Sequence, residues 1–180
     1  KDLVLLPAEP RAPDTMKASW RSVWLDAGSE PLPTPRIEWQ RNGKTVAALE
    51  GKREVPPGNA RRGERWRFVL TPAKGGAATQ GREVVVLDTP PSAPVMTFDP
   101  AFPNRATGVR ARIQKPAVDP DGDPLTCEIT WLLDGLESGV KGEVFPAERL
   151  KRGAVLQGRI VASDGELTGP AGTAQARVGD

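Results

Sequence analysis

Histidine and tyrosine are absent from this 180-residue sequence, and cysteine occurs once. Each absence closes off a chemistry. Without histidine there is no Ser-His-Asp triad, no imidazole acid–base group and no His-ligated metal. A single thiol, Cys127, allows no disulfide within the chain and no cysteine cage for zinc or an iron–sulfur cluster. No apolar run approaches the roughly 18 residues of a membrane span, so membrane insertion is not expected. A dominant charge sign is also missing, since 25 Lys+Arg face 23 Asp+Glu for a net +2. Nucleic-acid modules concentrate a basic face with aromatics free to stack, and no such partner is expected here. The chain opens on Lys1-Asp2 in strand-like text rather than a signal peptide and reads as an excised piece of a longer protein.

Glycine and proline are plentiful, 19 of each, and the rest organises as an internal repeat. Pro7-Ala8-Glu9-Pro10 returns as Pro100-Ala101-Phe102-Pro103, 93 residues on. Trp39 with Asn42-Gly43 returns as Trp131 with Asp134-Gly135, and Glu30-Pro31-Leu32 as Asp123-Pro124-Leu125. Arg62-Gly63 returns as Arg152-Gly153. Two copies are expected, over 1–91 and 92–180, joined through the proline-rich stretch from Asp88 to Pro94, whose missing N–H donors favour an extended backbone. The charge divides unevenly: 15 Lys+Arg and 11 Asp+Glu in 1–91, then 10 and 12 in 92–180.

Apolar residues alternate with polar ones at period 2, the signature of a half-buried antiparallel strand. Met16, Ala18 and Trp20 pair in this sense with Val109, Ala111 and Ile113 of the second copy. Ile37 and Trp39 match Ile129 and Trp131, and Trp66, Phe68 and Leu70 match Leu156, Gly158 and Ile160. All of these except the glycine are expected in the core. Asn42-Gly43 and Asp134-Gly135 are turn dipeptides that accept positive φ, and Lys74-Gly75-Gly76 and Asp164-Gly165 turn the chain into last strands over 83–87 and 173–178. One short helical turn is expected at 147–150. Short strands at this spacing, with a Trp on the third of them, predict an all-β chain of two tandem immunoglobulin-like antiparallel β-sandwiches.

The phrase Asp119-Pro120-Asp121-Gly122-Asp123-Pro124-Leu125-Thr126, then Trp131, Asp134-Gly135 and Ala162-Ser163-Asp164-Gly165-Glu166-Leu167, resembles bacterial immunoglobulin-like, fibronectin-III-like or cadherin-like tandem repeats of secreted or surface proteins. The first copy departs from it, with Asp26-Ala27-Gly28-Ser29-Glu30 in the acidic loop and Lys74 opposite Asp164. The resemblance implies a non-enzymatic spacer, adhesion or subunit-contact module at the cell surface or outside the cell. Its partners would be other domains of the same chain, other proteins or further copies of itself. The resemblance also leaves open a carbohydrate-binding or adhesin module and an accessory domain of a secreted hydrolase.

Asp119, Asp121 and Asp123 place acidic oxygens at alternate positions of a tight loop, a pattern that suits Ca²⁺. The EF-hand positions for Gly and Glu are taken by Pro124 and Thr130. In the sandwich Asp164, with Glu166, falls at the same pole. The competing reading is turn chemistry, with carboxylates capping backbone N–H groups. No other cofactor is expected. Arg61, Arg62, Arg65 and Arg67 form the strongest basic cluster, either an anion, glycan or acidic-partner patch or a solvated strand face behind the inward Trp66. The sandwich topology sets Arg61 and Arg62 against the acidic loops of the second copy across the joint, neutralising them directly or leaving them to a bridging cation. Cys127 shares the parity of Ile129 and Trp131 and is expected to be buried. An unpaired thiol could instead join another molecule. Trp24 is expected at the core edge or as an exposed contact.

Overall fold

A computed structural model describes residues 3–20, 34–73 and 76–179. Trp24, the loop 26–30 and the Lys74-Gly75 step of the expected turn lie outside the described residues. The chain is all-β and divides into two compact units, Lys1–Thr89 and Pro90–Asp180.

Unit 1 contains β1 (Leu3–Leu6), β2 (Met16–Trp20), β3 (Arg36–Arg41), β4 (Lys44–Thr45), β5 (Glu54–Val55), β6 (Arg65–Thr71), β7 (Thr79–Gln80) and β8 (Val84–Val85). One sheet runs β1-β2-β5; the other runs β4-β3-β6, with β7 and β8 both paired to β6. Unit 2 contains β9 (Val95–Asn104), β10 (Gly108–Lys115), β11 (Thr126–Leu133), β12 (Leu136–Lys141), β13 (Val144–Phe145), β14 (Val155–Ser163) and β15 (Gly172–Arg177). Its sheets run β9-β10-β13 and β12-β11-β14-β15. In immunoglobulin lettering each unit is A-B-E against C′-C-F-G, the order of an immunoglobulin or fibronectin-III sandwich.

Local chemistry repeats where the fold demands it. Asn42 and Asp134 both sit at positive φ, 50° and 51°, in the C–C′ turns. Asn42 Oδ1 accepts the Arg65 N–H at 2.9 Å and Asp134 Oδ1 the Val155 N–H at 2.8 Å. Each side chain thus ties its hairpin to the start of the F strand. The Trp39 indole donates to Lys52 O at 2.9 Å and the Trp131 indole to Gly142 O at 2.8 Å, so neither buried N–H is left without an acceptor. A 3₁₀ turn occupies Ala147–Arg149, at the expected place, and a second one spans Ala47–Leu49.

Both cores are built from the alternating residues. Met16, Ala18, Ile37, Trp39, Trp66, Phe68 and Leu70 are buried in unit 1, and Val109, Ala111, Ile129, Trp131, Leu156 and Ile160 in unit 2. Trp20 is half-buried, with the Arg53 guanidinium 4.7 Å from its ring centroid. The two cores surround their central tryptophans by different routes. Trp39 is flanked by Trp66 and Phe68, at centroid separations of 6.4 and 5.7 Å, both from β6 of its own sheet. Trp131 is flanked by Phe98 and Phe145, at 5.4 and 5.6 Å, both from the facing sheet. The position of Phe68 is Gly158 in unit 2, where a Cβ would come within 2.7 Å of Met96 Cε and 3.0 Å of the Phe98 ring. Aromatic bulk has moved across the sandwich, and the glycine opposite makes room for it.

The proline segment is laid against unit 2. Pro91 and Pro94 are buried, and a Cβ at Gly169 or Gly172 would drive into the carbonyl oxygen of Pro91 or Pro94. Ser92 and Val118 hold the segment from the other side, through Ser92 N–H to Val118 O at 2.9 Å and Val118 N–H to Ser92 Oγ at 2.8 Å.

Trp20 reaches only the edge of the core, and two further core expectations fail outright. Cys127 is exposed, and Ile113 is 46% exposed. The cause is lateral. β12 joins β11 only from the Thr130–Lys141 pair onward, so at Cys127 the strand has β14 on one side and no described strand on the other. β13 joins β10 only at Val109 and Arg110, which leaves the far side of Ile113 similarly uncovered. Both residues have the inward parity, but the short C′ and E strands stop before they reach them.

Candidate functional site

The loop that carries Asp119, Asp121 and Asp123 and the hairpin that carries Asp164 lie at one end of a sheet. Thr126 pairs with Ser163, and Thr126 Oγ1 donates to Ser163 O at 3.3 Å. The loop entering β11 and the hairpin leaving β14 therefore share a pole. Asp119 is nine-tenths buried, and its Oδ1 accepts the N–H groups of Asp121 at 2.8 Å and Asp123 at 3.2 Å. Asp164 Oδ1 accepts the N–H groups of Glu166 and Leu167 at 2.7 and 2.6 Å. These are Asx-type turns, in which a carboxylate oxygen satisfies consecutive backbone donors. Among the described residues, no three acidic or thiol side chains gather where they could hold a metal ion.

Turn-forming and cation-binding roles are separable for Asp119. Asp119→Ala strands two N–H groups and should cost about 1–3 kcal/mol. Asp119→Asn keeps an acceptor oxygen and should retain most of that stability in a thermal melt. A calcium-dependent rise in the wild-type melting temperature, abolished by Asp119→Asn, would reverse this assignment.

The basic cluster separates into two groups. Arg62 pairs with Asp88 at 3.4 Å and Arg65 with Glu83 at 3.3 Å. Arg67 donates to Gln40 Oε1 at 2.7 Å and Gln80 Oε1 at 3.0 Å, bridging β3, β6 and β7. These three guanidiniums are held within unit 1, Arg65 and Arg67 from β6 and Arg62 from the loop before it. Arg61 behaves differently. Its backbone N–H donates to Glu64 Oε2 at 3.0 Å. Its side chain lines an open groove of about 840 Å³ together with Arg41, Lys44 and Glu64, with Val46, Ala47 and Ala48 along the wall. Glu64 organises the floor: Oε2 also accepts the Trp66 indole N–H at 3.1 Å, and Oε1 lies 3.7 Å from Arg41 Nη1. The Arg41 guanidinium sits 5.8 Å from the Trp66 ring centroid.

Arg41, Lys44 and Glu64 went unnoticed in the sequence, because they lie on two segments that only the C–C′ turn and the E–F loop bring together. The one available signal was the Asn42-Gly43 turn, which folds Lys44 back beside Arg41. In the repeat register, Arg41, Lys44 and Glu64 correspond to Leu133, Leu136 and Ala154. The second sandwich closes its core without this charged network.

No protein-family model matches the sequence. No curated protein matches it either. Similar solved structures are the fibronectin(III)-like modules of CbhA from Clostridium thermocellum, at 12% identity and TM-score 0.39, over 98% of this chain and 94% of that one. The FN1-FN3 domains of chicken CNTN1 match at 12% identity and TM-score 0.41, over 99% of this chain and 65% of that one. Murine CEACAM1b matches at 10% identity and TM-score 0.36, over 98% of each chain. The strand order of this chain is what assigns its fold: an A-B-E sheet facing a C′-C-F-G sheet in each of two units, the immunoglobulin/fibronectin-III-like sandwich.

Proposed function

We propose that the chain is a non-enzymatic structural spacer and protein-contact module of a bacterial surface, secreted or filament-forming protein. The observation that carries this reading is the use made of the polar residues. Asp119 and Asp164 build turns, and Arg62, Arg65 and Arg67 clamp neighbouring strands. None of these contacts pairs a nucleophile with a base. An extracellular or cell-surface setting suits such modules, and the partners are other domains of the same chain or other proteins. The intact chain should turn over no ester, glycoside, peptide or phosphate substrate. Turnover that disappears in Asp121→Asn or Asp164→Asn would overturn the reading.

Carbohydrate binding is a second reading, and one residue favours it. Phe102 is 86% exposed, at the position where the first copy carries Glu9. An exposed aromatic face can stack on a sugar ring. Under this reading a glycan array gives hits that Phe102→Ala abolishes; hits insensitive to Phe102→Ala, or a blank array, leave the spacer reading in place.

A further inference from the structure

We infer that unit 1 carries a docking groove for an acidic, extended peptide segment, formed by Arg41, Lys44 and Arg61 beside the free edge of β4. This rests on the protein-contact reading above and names its site and ligand. Charge is the first support. Among the described residues, the side chains of Lys44 and Arg61 have no ion-pair partner, while Lys17, Arg36 and Arg65 of the same unit are paired at 3.1, 2.7 and 3.3 Å. The groove's carboxylate, Glu64, is already engaged by Arg41, the Arg61 amide and the Trp66 indole. Three cations against one occupied carboxylate leave the groove positive.

Backbone is the second support. β4 pairs with β3 on one side, and no described strand pairs with its other side. A free edge is a template for an added strand, whose main-chain hydrogen bonds give affinity while alternate side chains give specificity. An added strand with carboxylates at alternate positions would present them to Lys44 and Arg61, and its intervening aliphatic side chains to the wall of Val46, Ala47 and Ala48.

The second copy acts as an internal control. It has the same strand order and the same C–C′ turn, yet carries Leu133, Leu136 and Ala154 where the groove has Arg41, Lys44 and Glu64. Glu64 serves the Trp66 indole, which unit 2 replaces with Leu156, and Arg61 matches Lys151. The difference that bears on a ligand is Lys44, which holds no ion pair among the described residues and is Leu136 in unit 2. A peptide fits this site better than a sulfated glycan does, because a free strand edge rewards a ligand with its own backbone donors.

The test uses the intact chain and a fluorescein-labelled peptide of alternating Glu and Val, read by anisotropy. Binding should weaken as ionic strength rises from about 0.01 M to about 0.15 M. The double variant Lys44→Glu/Arg61→Glu should bind roughly tenfold more weakly or worse, with an unchanged thermal melt. Arg65→Glu, outside the groove, should bind like wild type. The Trp66 indole N–H resonance should shift on titration with the peptide. An equally charged peptide with proline at alternate positions should bind less well, because it lacks the backbone donors.

Equal binding by wild type and the double variant would overturn the proposal. So would an indifferent proline peptide, or a heparin-derived oligosaccharide that moves the Trp66 resonance when the peptide does not. Loss of the groove in this way would leave the spacer reading intact, since that reading falls only on turnover.

Discussion

Trp131→Ala should lower the stability of unit 2 by about 3–5 kcal/mol, and Trp39→Ala should do the same to unit 1. Each indole is 1% exposed or less and forms the centre of an aromatic trio. Truncating Trp131 removes the shared contact of Phe98 and Phe145, 5.4 and 5.6 Å away. It also strands the Gly142 carbonyl that accepts the indole N–H at 2.8 Å. The cavity and the lost acceptor add, because β11 is held between β12 and β14 and cannot move freely into the space. Urea unfolding, with the untouched unit's transition as the internal reference, measures the loss. A cost under about 1 kcal/mol would mean that the trio is not the centre of the core.

Gly158→Phe should destabilise unit 2 at the upper end of the roughly 1–3 kcal/mol expected for overpacking, or beyond it. The substitution installs the residue that unit 1 carries at the same register, Phe68, which pairs with Trp39 as Gly158 pairs with Trp131. In unit 2 that space belongs to Met96 and Phe98, whose atoms lie 2.7 and 3.0 Å from where a Cβ would stand. The register partner of Phe98 in unit 1 is Leu5: Leu5 pairs with Ala18 as Phe98 pairs with Ala111. Adding Phe98→Leu to Gly158→Phe should therefore restore part of the lost stability, because these two register positions then carry the residues of unit 1 and the Phe98 ring no longer occupies the space. Two losses that simply add, with no recovery in the double variant, would show that the cores do not trade aromatic bulk across the sheets.

The all-β class, the two copies, the core tryptophans and the C–C′ turns were legible in the sequence. Each rests on a local signal. Period-2 alternation assigns Ile37, Trp39, Ile129 and Trp131 to one face, and Asn42 and Asp134 answer a backbone that turns at positive φ. Parity names a face, however, and burial also needs neighbours on either side. Cys127 and Ile113 carry the inward parity and are exposed, because C′ and E strands of limited length stop short of them. The convergence of the Asp121 and Asp123 N–H groups on one oxygen of Asp119 is likewise a contact that the spacing of the aspartates does not spell out.

The sequence by itself determined what short-range chemistry controls: strand, turn, repeat, and the hydrophobic face of each strand. Tertiary structure alone decided what depends on segments distant in the chain. It placed the flanking aromatics of Trp131 on the sheet opposite those of Trp39, compensated by a glycine. It separated Arg61 from Arg62, Arg65 and Arg67, its companions in the sequence, and set it with Arg41 and Lys44 from another hairpin. The reason is common to both cases. A sandwich joins residues across sheets and around loops, and a linear pattern records which way a side chain points but not what meets it there.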